Sequence, residues 1–256
     1  VYASPDRVRF LEGAASATLP PERLNEEIQG YLPPGAVDGS QLPPPPAIDS
    51  AQDKADVAWA KGSMARASEA RWQRAVADDA SVYDRFSDSL GVTVDRKTVP
   101  RLVRLLNRVS EDALAASSEA KKRFSRPRPF QRFALNRVCG QATPPKPEAA
   151  PTKGTSYPSG HAVVSWAAAL VMMETAPANA ASLVARAVDY GESRVVCGVH
   201  FPSDVEAGRI LAAAVVDKLF ALPEFRAELQ CVKREVQGVL AGQRSEDLPA
   251  CQILVP

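Results

Sequence analysis

Apolar positions in this chain recur with the period of a helix, and nowhere with the alternation of a strand. Between Val99 and about Phe124, the residues Leu102, Leu105, Leu106, Val109 and Ala113 fall on one stripe, which predicts an amphipathic helix. An alanine-rich stretch from Asp53 to about Ala77 predicts one continuous helix before it. Four more are predicted from Ser159 to Glu174, Ala180 to about Arg194, Pro202 to Phe220 and Pro223 to Leu240. Pro127 and Pro129 must end the helix that runs through Phe124. The segment from Cys139 to Thr155, dense in proline, lysine and glycine, reads as a loop. Residues 1 to about 47 carry Pro33-Pro34 and the run Pro43 to Pro46, so they read as an extended arm lying on the body or on a partner subunit. The expectation is an all-α chain: a proline-rich arm over 1–47, then a single helical domain over 48–256 around one core.

Composition adds limits. The chain has 256 residues, enough for a sizeable core, with 45% hydrophobic and 24% charged residues. The formal net charge of +1 provides no global field for nucleic acid or an anionic membrane, so any affinity for anions must be local. The longest apolar stretch, from Ala162 to Met173, is too short to cross a bilayer, and Arg209 interrupts the stretch from Val205 to Val216. No basic segment leads into an apolar core at the start, so a signal peptide is expected to be absent or already removed. Cys139, Cys197, Cys231 and Cys251 match no zinc pattern. They allow two disulfides in any of three pairings, or four buried thiols.

Three segments carry chemistry. In Pro158-Ser159-Gly160-His161, Ser159 is a good helix N-cap, and Gly160 lets a ligand approach the backbone. The unpaired amides of that first turn would cradle an anion, with His161 at the rim. In the second segment, Ser193 to Asp204, Pro202 suits a first helical turn. Asp204 could then reach back to one nitrogen of His200, fixing its tautomer and leaving the other nitrogen as a nucleophile. Arg194 offers a fork for a phosphate-like anion. The third segment, Lys121 to Pro129, supplies Lys121 and Arg128, although Lys122, Arg123, Arg126 and Arg132 crowd the same region and read as a solvated basic face. Both histidines of the chain lie in these segments. Together the segments provide cations, a helix N-terminus and two imidazoles, which is what metal-free phosphoryl transfer needs.

The spacing Lys121-x6-Arg128-Pro129, then Pro158-Ser159-Gly160-His161, then Ser193-Arg194-x5-His200-x3-Asp204 resembles the three-part signature of the type 2 phosphatidic acid phosphatase superfamily. That superfamily also holds the vanadium haloperoxidases. LPPPP at 42–46, RWQRAVADDA at 71–80, YPSGHA at 157–162 and DYGESRVVCGVHFPSDVEAGR at 189–209 are similar to its class A bacterial nonspecific acid phosphatases.

The resemblance implies an all-α bundle that hydrolyses phosphate monoesters without metal or cofactor. It implies that His200 is the phosphorylated nucleophile, Asp204 its orienting acid, and His161 the proton donor to the leaving alcohol. Lys121, Arg128, Ser159, Gly160 and Arg194 would bind phosphate, or vanadate in its place. It also implies a Cys139–Cys197 bridge, with Cys231–Cys251 the other, export to the periplasm or beyond, and a homodimer or larger assembly. The alternatives at the same site are a vanadium-dependent haloperoxidase-like activity or phosphotransfer to an acceptor alcohol. The missing membrane spans speak against a membrane lipid phosphatase, and the presence of both His200 and Asp204 speaks against a helical phosphate binder with a dead site.

Overall fold

Ser50 and Ser68 each close a first helical turn, accepting from the amides of Asp53 and Arg71. Two caps make two helices, α1 (Ala51–Arg66) and α2 (Glu69–Ala80), where the alanine-rich pattern predicts one. The break lies at Ala67, whose backbone turns extended so that Ser68 can cap. The computed structural model describes residues 28–140 and 155–251. The expectations for residues 1–27 of the arm and for 141–154 of the predicted loop lie outside the described residues. After α2 come α3 (Ser87–Leu90), α4 (Pro100–Phe124), α5 (Pro129–Arg132), α6 (Gly160–Thr175), α7 (Ala180–Val196), α8 (Pro202–Ala221) and α9 (Pro223–Leu240). Among the described residues there is no strand, and the fold is all-α, as expected.

The centre of the bundle is α6. Ala162, Val163, Val164, Ala167, Ala168, Ala169, Val171 and Met172 are all buried, as befits a helix that is apolar around most of its circumference. It packs against α4, α7, α8 and α9. The predicted stripe of α4 lies in the same core, each leucine contributing about 1.5–3 kcal/mol of burial. Gly208 of α8 allows the start of α6 to come close, because a Cβ there would lie 2.9 Å from both the Ser159 carbonyl oxygen and the Ala162 methyl.

The described part of the arm lies on the body. Asp112 of α4 accepts from the amides of Tyr31 and Leu32 at 2.9 and 3.1 Å, and the Tyr31 hydroxyl donates to Glu228 of α9. Farther along, the Pro43 carbonyl accepts from the Tyr157 hydroxyl at 2.7 Å, which braces the loop leading into α6. Both disulfides form as the resemblance implied. Cys139–Cys197 ties the end of α7 to the segment after α5, and Cys231–Cys251 ties the C-terminal tail to α9.

Candidate active site

Five helix ends converge on one point. Ser125, in left-handed backbone, ends α4 just after Lys121. The chain then runs extended through Arg128, where Pro129 starts α5. The loop 155–159 crosses this segment, with the Ser156 amide donating to the Arg126 carbonyl at 3.0 Å. Ser159 caps α6, its oxygen accepting from the Ala162 amide at 3.3 Å, and its own amide donates to the Asp204 carbonyl at 2.9 Å. Arg194 stands in the last turn of α7, and His200 precedes the first turn of α8.

The sequence-predicted cations meet here. Lys121 Nζ donates to the carbonyls of Thr155, at 2.8 Å, and Pro158. Arg128 Nε donates to the Thr155 hydroxyl at 3.2 Å, and its Nη1 lies 3.5 Å from His200 Nε2. Arg194 is only 2% exposed. Its Nη2 donates to Asp79 Oδ1 at 2.5 Å, while its Nε is buried with no hydrogen-bond partner among the described residues. A buried guanidinium N–H left unsatisfied is costly unless a ligand takes it up.

His200, 1% exposed, is oriented differently from the sequence expectation. Its Nδ1 lies 2.8 Å from the Ser156 carbonyl and 3.7 Å from Asp204 Oδ2, too far for a hydrogen bond. A carbonyl only accepts, so Nδ1 carries the proton, and the lone pair is left on Nε2, beside Arg128. Asp204 acts one step removed: its Oδ2 accepts from the Ser156 hydroxyl at 2.6 Å and from the Phe201 amide at 2.7 Å. His161 Nε2 lies 3.9 Å from Asp79, the carboxylate that also holds Arg194.

Crowded, buried positive charge sets the titration of the site. Burial, and then neighbouring Arg128, pushes the Lys121 ammonium down to about 7. Burial, and then Arg194, brings Arg128 to about 10. Burial likewise holds both imidazoles well below the usual histidine range, reinforced first by Arg194 at His161 and by Arg128 at His200. An anion of two negative charges placed among these groups would oppose every one of these shifts.

Sequence reasoning missed Asp79, Ser156 and Arg126. Asp79 lies in the stretch that resembles the phosphatases, but no local pattern marks it out. Ser156 takes part through its carbonyl as well as its hydroxyl. The reading of a solvated basic face fits Lys122 and Arg123, which are exposed, but not Arg126, which is 5% exposed. Among the described residues, no group of three or more His, Cys, Asp or Glu side chains is arranged to hold a metal ion.

Residues 109–226 match the model of the PAP2 superfamily. The chain is 37% identical over 199 residues to a non-specific acid phosphatase of Providencia stuartii, covering 76% of this chain and 78% of that protein. It is 35% identical over 232 residues to a non-specific acid phosphatase of Salmonella typhimurium, covering 88% and 90%. An acid phosphatase of Zymomonas mobilis is 29% identical over 216 residues, covering 83% and 80%.

Proposed function

Because this chain belongs to the PAP2 superfamily, with non-specific acid phosphatases among its relatives, we propose that it hydrolyses phosphate monoesters through a phosphohistidine at His200. The observation that carries the reading is the tautomer of His200. The Ser156 carbonyl keeps the proton on Nδ1, so the lone pair lies on Nε2, 3.5 Å from Arg128 Nη1. The phosphoryl oxygens sit among Lys121, Arg128, Arg194 with its unsatisfied Nε, and the first amides of α6 behind Ser159 and Gly160. Nε2 attacks phosphorus as the bond to the alcohol oxygen breaks, and protonated His161 delivers a proton to that oxygen. Water then attacks phosphorus, His161 takes one of its protons, and the electron pair of the P–N bond returns to Nε2.

An acid working range follows from the geometry. His200 must be neutral, and burial among cations keeps it so well below the usual histidine range. His161 must be protonated, and the charge of bound phosphate adds to Asp79 in offsetting burial and Arg194.

The test is quenching in alkaline denaturant, which preserves a P–N bond, during turnover of a ³²P-labelled monoester in excess chelator, with the adduct mapped by peptide mass spectrometry. We expect an acid-labile label on His200. Turnover with no label there, or turnover lost in chelator, overturns this reading. The same reading places the mature protein in the periplasm or outside the cell, where its two disulfides persist, and assembles it as a homodimer or larger.

A second expectation concerns protons. Lys121 titrates at about 7 in the ligand-free site, so near neutral pH a large share of it lacks its proton. A bound dianion favours the ammonium and both imidazolium forms, so binding must take up protons. Calorimetric titration with inorganic phosphate at about pH 8.5, where the free ligand is already the dianion, in two buffers of different ionisation enthalpy, should show net uptake. Net release contradicts the charge balance described here.

A further inference from the structure

Around Asp204 lies a buried ionic network centred on Arg126, a cation outside the proposed phosphate ligands. Arg126 Nη1 donates to Asp204 Oδ1 at 2.6 Å and to the Ser203 hydroxyl at 2.7 Å. Its Nη2 donates to Asp56 Oδ2 at 2.9 Å, with Asp53 Oδ1 at 3.5 Å. Asp56 also accepts from the Ser203 amide at 3.2 Å and from its hydroxyl. Asp53 is held in turn by both arms of Arg132, at 2.6 and 2.7 Å, and by the Asp49 amide. The Arg126 guanidinium lies 4.4 Å from the centre of the Phe201 ring. Helices α1 and α8 are thus joined both through Arg126 and by the direct bonds of Ser203 to Asp56.

We propose that Arg126 is a positioning residue of the reaction: anchored on Asp53 and Asp56 of α1, it fixes Asp204 and, through Asp204 and Ser156, the ring of His200. The proposal rests on the phosphohistidine reading above. The chain of contacts is continuous. Arg126 holds Asp204 Oδ1, Asp204 Oδ2 holds the Ser156 hydroxyl, and the Ser156 carbonyl holds His200 Nδ1. The backbone of Arg126 closes the loop, its carbonyl accepting from the Ser156 amide. Asp204 is fully buried, so without its guanidinium partner it would be an uncompensated charge. It would then swing toward His200 and disturb Ser156. A lysine cannot replace this fork, since a single ammonium cannot reach Asp204 and Asp56 in the same geometry.

The groups facing the network are Asp53 and Asp56 from α1, Arg132 from α5, Tyr157 from the loop into α6, and Ser203 and Asp204 from α8. Those facing His200 are Lys121, Arg128, Arg194, His161 and Asp204. Removing the charge of Arg126 leaves the Asp204 carboxylate, 3.7 Å from Nδ1, less neutralised. That favours the imidazolium form of His200 and works against attack at low pH.

The experiment is steady-state hydrolysis of p-nitrophenyl phosphate across the acid range by Arg126→Lys, Arg126→Met and Asp56→Asn, with thermal unfolding of each. For Arg126→Lys we expect kcat to fall about tenfold or more, the loss of one charge-assisted bond, while KM stays within about threefold because Arg126 does not touch phosphate. For Arg126→Met we expect the acid limb of kcat/KM to move up by about half a pH unit or more, and Arg126→Lys should restore that limb without restoring kcat. If either Arg126 variant fails to fold, Asp56→Asn decides, with an expected several-fold loss in kcat at unchanged KM. Wild-type kcat in a folded Arg126→Lys or Asp56→Asn overturns the proposal, as does an unmoved acid limb in a folded Arg126→Met. A wild-type enzyme that never labels His200 overturns the underlying reading instead, whatever these variants do.

Discussion

Replacing His200 with alanine is expected to abolish turnover of every phosphate monoester, by at least about 10⁴-fold in kcat, while the protein stays folded. The size of the loss follows from the geometry. The proposed nucleophile is His200 Nε2, beside Arg128, with its lone pair set by the Ser156 carbonyl at Nδ1. The cations would still bind phosphate, because Lys121 and Arg128 are held by Thr155 and Pro158 rather than by the ring. Phosphate or vanadate should therefore still raise the Tm of the variant by mass action, separating lost chemistry from a lost site. The imidazole is itself an unfavourable guest when charged, since burial and Arg128 oppose its protonation. Below the usual histidine range the folded state binds fewer protons at this position than the unfolded state. Its contribution to stability therefore declines as pH falls from about 6.5, and the alanine variant should lack that decline. Activity within tenfold of wild type would mean that another group accepts the phosphoryl transfer.

The sequence carried most of the fold because helices announce themselves locally. The α4 stripe needs only one face of one element, and Pro202 and Pro223 mark the starts of α8 and α9 as first-turn prolines do. The break between α1 and α2 was hidden because alanine favours helix on both sides of it. One serine side chain, bonded to the Arg71 amide, decides the matter. The four residues of α5 are too few for any period to register, and only Pro129 pointed to it. Within the site, the groups that were legible sit in dense segments where a cation or imidazole stands beside a helix start. Those that were not legible act across the chain. Asp79 meets Arg194 from α2, and Arg126 looks like one of several neighbouring cations until Asp53 and Asp56 bury it. The role of Asp204 changed for a similar reason. Its position four residues after His200 suggested a direct bond, but its oxygens are taken by Ser156, the Phe201 amide and Arg126. A backbone carbonyl contributed by another segment then does the orienting, and carbonyls leave no trace in residue identities.

Replacing His161 with alanine should divide substrates by their leaving group. For alkyl monoesters, whose alkoxides leave poorly, the loss in kcat/KM should be about 10²–10⁴-fold, the range of a general acid. For p-nitrophenyl phosphate, which leaves without help, it should be far smaller. His161 stands at the first turn of α6, stacks on Tyr190 at 6.5 Å between ring centres, and approaches the Asp79 carboxylate that anchors Arg194. Arg194 and His200 are its neighbours in the site, so the proposed reading gives it the proton for the departing oxygen. Its protonated form is opposed by burial, then by Arg194 and His200, so the proton must be supported by bound phosphate. With alanine there, the basic limb of the pH profile of kcat should disappear, because no proton remains to be lost from that position. The second chemical step loses its base as well, so phosphohistidine should accumulate when the leaving group is good. Rapid mixing of p-nitrophenyl phosphate with the variant should therefore give a burst of nitrophenol followed by slow turnover, with the label trapped on His200. An equal loss for alkyl and aryl substrates, with no burst, would assign the proton to a different group and leave His161 with phosphate binding alone.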